Sequence, residues 1–349
     1  MSVKKIKMAV TGALKTVMFH TGVFGIIRRV KPNSKAAILR YHAIVDQSEN
    51  TYAHPTICLS EKQFEKHVRY FAQRYKIMSL DEIVEHLIEK KPLPANAVAF
   101  TFDDGYTDNL RATRILKKYG CSGTFYLTAA CIDRQEPFWL SEVIYLVLKT
   151  NKKRIAISEA GQDLKLTLGK RDQRWSSVSK IVALIKGNNR EVRESVRKQL
   201  REQTDDVSAA NLNERVMLTW RQVKEMIADG MIMGGHTMTH LNLPNAGESD
   251  ANLEITECKK LLEAKLGREI RHFSYPNSGP YEYYTQEVRD LVEASGYQSS
   301  TTSYYGFVEP GDDLFSLRRV RTVPSLVETV AGMELSLIHI SEPTRLHCS

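Results

Sequence analysis

The chain has 349 residues, with 49 Lys or Arg against 41 Asp or Glu, a formal net charge of +8 and 42% hydrophobic residues. That composition supplies a sizeable core and excludes a disordered, collagen-like or low-complexity chain, and no internal repeat is visible. Five cysteines, Cys58, Cys121, Cys131, Cys258 and Cys348, show neither a CxxC pair nor metal-like spacing, which argues for reduced thiols.

Residues 1–35 read as an N-terminal segment of their own. Residues 8–27 are fairly apolar and flanked by Lys4, Lys5, Lys7, Arg28 and Arg29. Lys15 and His20 interrupt them, short of the roughly 18 clean apolar residues of a spanning helix. The expectation is an amphipathic helix that packs on the body or lies at an interface. With no secretory leader recognised, the expected location is the cytoplasm, with peripheral membrane association left open.

From residue 36 onward, strand-like runs at 37–41, 98–102, 123–127, 231–234 and 272–275 alternate with helices. Capping boxes at Ser60 with Gln63, Ser79 with Glu82 and Thr219 with Gln222 predict helices over 61–75, 80–90 and 220–229. This βα rhythm predicts a parallel barrel whose site lies at the carboxyl ends of its strands.

Between 134 and 215 the rhythm fails, and an insertion into the barrel is expected. Residues 154–157 and 164–168 alternate around Glu159-Ala160-Gly161-Gln162 as a β-hairpin would, and 180–203 reads as helical. Residues 170–203 hold ten Lys or Arg against four Asp or Glu. Such a cluster suits an anionic glycan, a lipid pyrophosphate or an acidic membrane surface, or else is a solvated helix face. Nucleic acid is not an expected partner, because no binding motif accompanies the charge.

Two short stretches carry the chemistry. Thr101-Phe102-Asp103-Asp104-Gly105-Tyr106 puts paired acids at the end of an apolar strand, and His236-Thr237-Met238-Thr239-His240 follows an apolar run broken by Gly234 and Gly235. Histidines four apart share a face on a helical turn, and the Gly105 turn lets both acids converge on one site. Three ligands and a spare carboxylate match a catalytic zinc-type centre with a base for its water.

These motifs resemble the first two of the polysaccharide deacetylase family, the NodB-homology carbohydrate esterases. The resemblance covers about 36–335. It implies a distorted, incomplete (β/α)7 barrel, Asp103 as the base that activates water, and Asp104, His236 and His240 as metal ligands. Tyr106 falls in the first motif as a substrate-binding residue. Tyr275-Pro276 is similar to the third motif, which lines the substrate groove and offers a backbone donor to the oxyanion. Many members carry an arginine there that braces the base; here the equivalent position is Ser274, and Arg271 lies three residues too early. Arg319, in an alternating strand-like segment, is the nearest substitute, with a solvated arginine as the other reading. Tyr41-His42 on the first strand matches a subgroup in which this histidine serves as the general acid, and a histidine titrating near neutrality suits that role. The alternative for His42 is a satisfied structural histidine.

The family implies metal-dependent removal of N-acetyl groups from an amino-sugar glycan, polymeric or lipid-linked. Zinc is the default ion; cobalt, nickel, manganese or iron(II) suit the same ligands. O-acetyl ester hydrolysis, a glycan-binding barrel without turnover and, more remotely, non-haem iron oxygenation are the alternatives. Residues 336–349 resemble a translated sequencing-adapter read-through, so they are expected to be a non-native tail, and His339 and His347 are set aside.

Overall fold

The computed structural model describes residues 3–136, 138–209, 212, 216–279 and 282–336. The expected tail from 337 onward, with His339, His347 and Cys348, lies outside the described residues, as do parts of the far boundary of the insertion near 215.

Seven parallel strands close on themselves: β1 (Ala37–Tyr41), β5 (Ala97–Phe102), β6 (Thr124–Leu127), β9 (Ile232–Gly235), β10 (His272–Ser274), β11 (Ser299–Tyr305) and β12 (Leu317–Arg321). Closure comes from β1, which pairs with β12 on one side and, from Ala37↔Val98 to Tyr41↔Phe102, with β5 on the other. The short strands β2 (Ala43–Ile44), β3 (Cys58–Leu59) and β4 (Lys76–Ile77) are accessory, β4 adding to the start of β5.

The pleat sorts side chains into two cores. Ile38, Ala99, Tyr126 and Leu317 point into the barrel, where they meet Leu80, Ile83, Val84 and Leu87 of α4 (Leu80–Ile88), the helix that plugs the amino-terminal end. Leu39, Tyr41, Phe100, Phe102 and Phe125 point outward to helices such as α3 (Glu61–Arg74) and α5 (Asn109–Lys118). All three capping boxes form, at Ser60, Ser79 and Thr219, and start α3, α4 and α10 (Trp220–Ala228).

The N-terminal segment is two helices, α1 (Val3–His20) and α2 (Val23–Val30), laid against the barrel. Lys15 Nζ pairs with Glu328 at 2.6 Å, and buried Arg28 pairs with Glu334 at 2.6 Å, both on α13 (Leu326–Ser336). Among the described residues, no helix is long and apolar enough to cross a membrane.

The insertion contains α6 (Ala129–Arg134) at its edge, then α7 (Trp139–Lys149), the hairpin β7 (Arg154–Glu159) and β8 (Gln162–Thr167), α8 (Arg171–Lys186) and α9 (Arg190–Gln203). The single helix expected over 180–203 is therefore two, parted at Gly187-Asn188-Asn189, where Asn189 caps α9 by accepting from Val192 N–H at 3.1 Å. Several of its arginines are engaged by other residues of the protein. Arg197 and Arg201 reach buried Glu142 at 2.7 and 2.6 Å, Arg190 reaches Glu254 at 3.1 Å, and Arg174 donates to the Val147 carbonyl at 2.6 Å.

Candidate active site and metal centre

Most expected site residues sit on segments that follow strands. β1 hands over to His42, β5 to Asp103 and Asp104, β9 to His236 and β10 to Tyr275, while Arg319 lies within β12 with its side chain inside the barrel. These side chains therefore share the carboxyl-terminal mouth of the barrel, where strand ends supply rigid positions and loops supply freedom.

The turn after β5 begins one residue earlier than Gly105 alone would allow. Asp104 itself has φ 82°, followed by Gly105 at 79°. An aspartate tolerates the left-handed region better than most residues, and the reversal swings its carboxylate toward the histidines while Asp103 stays on the inner face. Gly234 and Gly235 serve close approach: a Cβ on Gly234 would lie 2.8 Å from the His272 carbonyl oxygen.

The His236–His240 segment departs from the helical turn expected for i,i+4 ligands. It is irregular, with Thr237 at φ 63° and His240 at φ 56°, conformations that no α-helix contains. The imidazoles nevertheless converge because the loop is tied down from outside. On α11 (Glu248–Leu266), the fully buried Glu254 accepts from Thr239 N–H at 2.7 Å and also from the Thr239 hydroxyl. Arg193 of the insertion donates to the Thr239 carbonyl at 3.1 Å and to its hydroxyl at 3.0 Å. Trp139 Nε1 donates to the His240 carbonyl at 3.2 Å, and the Phe138 ring packs on His240 at 4.9 Å. None of these supports was legible in sequence, since they come from distant segments and share no local pattern with the histidines.

Asp104, His236 and His240 are buried together, with one ligand atom from each within 4.8 Å of the others. Asp104 Oδ1 is 3.4 Å from His236 Nε2 and 3.4 Å from His240 Nε2. A tetrahedral ion with bonds of about 2.1 Å separates its ligand atoms by about 3.4 Å, so these residues fit a zinc-sized cation. His236 Nδ1 bonds the Ser274 carbonyl at 2.7 Å, which fixes the ring and leaves Nε2 as the ligand atom.

Asp103 lies beside this group in a clamp. Arg319 donates to both its oxygens, at 2.7 and 2.8 Å, and is held in turn by the Thr302 carbonyl at 2.9 Å and Ser274 Oγ at 3.1 Å. The guanidinium beside Asp103 thus comes from β12 rather than from the third-motif position, where Ser274 bonds it instead. Burial opposes ionisation of Asp103, but Arg319 outweighs it and, with His236 and His42, holds the carboxyl well below the usual range. Asp104 is held at about 2: burial opposes ionisation, and the bond to His236 and the charges of His42 and His240 overcome it.

His42 Nε2 is 3.6 Å from Asp103 Oδ2. Its titration does not fall near neutrality. Burial lowers it to about 4, against the pull of Asp103 and Asp104, so the imidazole is neutral at pH 7 and ready to receive a proton.

Three expected substrate contacts are placed otherwise. The Tyr106 ring is completely buried against Tyr52 and Phe138, beneath the site, where a sugar has no access. Tyr275 and Pro276 are buried as well, and the Tyr275 hydroxyl donates to the Phe315 carbonyl at 2.9 Å. The Tyr275 N–H donates to the Thr301 carbonyl at 3.1 Å, so the parallel ladder uses the very group expected to face an oxyanion.

Residues 90–300 match the model of the family described as polysaccharide deacetylase. YxkH of Bacillus subtilis (strain 168), a protein that carries a polysaccharide-deacetylase name, is 23% identical over 308 residues, 88% of this chain and 77% of its own. The Streptococcus pyogenes deacetylase PplD, solved with acetate, superposes with a TM-score of 0.56 at 19% identity, covering 90% of this chain and all of PplD. A de-N-acetylase from Aggregatibacter actinomycetemcomitans gives 0.54 at 17% identity, covering 85% of this chain and 99% of its own. With the family match spanning more than half its length and the barrel reproduced, this chain belongs to the polysaccharide deacetylase family.

Proposed function

We propose that this protein removes N-acetyl groups from an amino-sugar glycan, polymeric or lipid-linked, with a divalent cation held by Asp104, His236 and His240. One observation carries the reading: the Arg319-clamped Asp103 stands beside the buried three-ligand set and within reach of His42. When bound, the cation would polarise the acetamide carbonyl and make water more acidic.

The chain's own residues do the rest. Asp103 accepts a proton from the attacking water, and the Arg319 fork fixes the direction of its free lone pairs. A carboxyl held so acidic keeps a proton only in transit. His42, less acidic and 3.6 Å away, is the better resting place, and from there the proton passes to the departing amine. An amine leaves poorly unless protonated, whereas an alkoxide of an ester needs less help, so an acid at His42 favours amide over ester substrates.

The test is acetate release from N-acetylhexosamine oligomers and from an O-acetylated glycan, using chelated protein with metal restored. The proposal expects metal-restored release from the amide at the higher kcat/KM, abolished by Asp103→Asn. Preferential release from the ester would replace this reading with esterase activity. The N-terminal helices invite a peripheral membrane role, checked by vesicle co-sedimentation of the full chain.

A further inference from the structure

His42 stands one residue past β1, where the sheet stops holding the chain. The β1–β5 ladder runs to Tyr41↔Phe102, and the Asp103 N–H donates to the Tyr41 carbonyl at 3.1 Å. His42 itself belongs to no ladder, since β2 begins its pairing with β3 at Ala43. A side chain takes the place of the missing strand. Asn109, the first residue of α5, donates from Nδ2 to the His42 carbonyl at 2.9 Å.

Asn109 is completely buried, and its amide is held in one orientation. The same Nδ2 donates to Asp108 Oδ1 at 3.1 Å, and the Tyr52 hydroxyl donates to Asp108 Oδ2. Burial raises Asp108 to about 6, so at pH 7 it is a carboxylate, which accepts hydrogen bonds and donates none. Beside such a group an amide presents its donor end, and here that end also meets His42. Tyr52 is fixed in turn: its N–H donates to Asn50 Oδ1 at 3.2 Å, and its ring lies 5.4 Å from that of Tyr106.

The proton transfer proposed above uses none of these three side chains directly, yet it depends on where His42 is held. The 3.6 Å between His42 and Asp103 is longer than a proton-transfer contact and must tighten in the complex with substrate. A displacement of about 1 Å at such a place can lower a rate about 10²-fold. One stretch, residues 103–109, carries the base, a metal ligand and the anchor of the acid, so the spacing of acid and base is set within a single segment of chain. We propose that Asn109 is a positioning residue for His42: with Asp108 and Tyr52 holding its amide, it aims the imidazole at Asp103 and at the departing amine. The inference rests on the deacetylase reading with His42 as its acid, and adds the residue that places that acid.

The test uses full-length, metal-loaded protein with an N-acetylglucosamine oligomer and with 4-nitrophenyl acetate, whose leaving group needs no acid. Asn109→Ala is expected to lower kcat on the amide about 10–100-fold, with KM and the rate on the ester each within about threefold of wild type. In a His42→Asn background the same substitution should cost nothing further, because the group it aims is gone. Tyr52→Phe, which keeps the ring and removes only the bond to Asp108, should give a smaller loss of about threefold with the same amide selectivity, and it carries the test if Asn109→Ala does not fold. No loss on the amide, an equal loss on amide and ester, or an undiminished loss in the His42→Asn background overturns the proposal. If the wild-type protein releases acetate from neither substrate, the deacetylase reading falls and crystal structures of the variants decide the positioning role. A His42 ring displaced from Asp103 in Asn109→Ala, or in Tyr52→Phe, upholds it, and a ring left in place overturns it.

Discussion

Arg319, on β12, holds both oxygens of Asp103. Removing it leaves Asp103 buried with no partner of opposite charge, the situation in which a broken pair costs about 3–5 kcal/mol. Arg319→Met is therefore expected to lower unfolding free energy by about that amount in urea titrations, and to cut acetate release more than Arg319→Lys, which keeps the charge but not the fork. His42 makes a chemical prediction. His42→Asn should lower kcat on an acetamide by roughly 10²–10⁴ and by far less on an ester with a good leaving group, read by steady-state kinetics on both. A third residue, remote from the site, sets part of the acid sensitivity. His67 on α3 is fully buried, bonds the Tyr41 hydroxyl at 3.2 Å, and is lowered by burial to about 4. Its folded pKa lies below the unfolded value of about 6.5, so its contribution is present above pH 6.5 and lost as pH falls through 4. His67→Gln, which keeps a hydrogen-bonding group but does not titrate, should flatten that loss in unfolding measured from pH 7 to pH 4.

The elements differ in how plainly they are written in the chain. Strands β1, β5, β6, β9 and β10 were legible as short apolar or β-prone runs, three of them closed by His42, Asp103 or the Gly234-Gly235 pair, and α3, α4 and α10 because their caps are local. Strand β11 was not: Ser299-Ser300-Thr301-Thr302-Ser303 has no apolar alternation, and several of its hydroxyls are held by neighbouring segments, as Thr302 Oγ1 donates to the Leu317 carbonyl of β12 at 3.2 Å. Asp103, Asp104 and the histidine pair could be nominated because they follow recognisable strands, whereas His42 needed the resemblance of Tyr41-His42 to a family subgroup. The loop that aims the histidines could not, since Glu254 and Arg193 act across the fold. That loop holds two non-glycine residues in left-handed conformations, which persist only where surrounding contacts over-determine them. Glu254→Ala should therefore weaken zinc binding about 10–100-fold in chelator competition, with the barrel's circular dichroism unchanged. Unaltered zinc affinity in this variant would mean that the loop holds its shape alone.

At the scale of the molecule, a barrel plugged by α4 and strapped by α1, α2 and α13 presents one open end, and the insertion closes on that end rather than standing apart from it. Phe138, Trp139 and Arg193 touch the loop that carries His236 and His240, so the insertion packs against the candidate site. The central claim is a single divalent ion held by Asp104, His236 and His240. Its most direct test is acetate release by chelated protein titrated with zinc, with bound metal counted at each point. The account predicts no release without metal and activity that saturates at one ion per chain in wild type, with neither binding nor release in Asp104→Ala. Undiminished release after complete chelation, or full metal binding in Asp104→Ala, would contradict it.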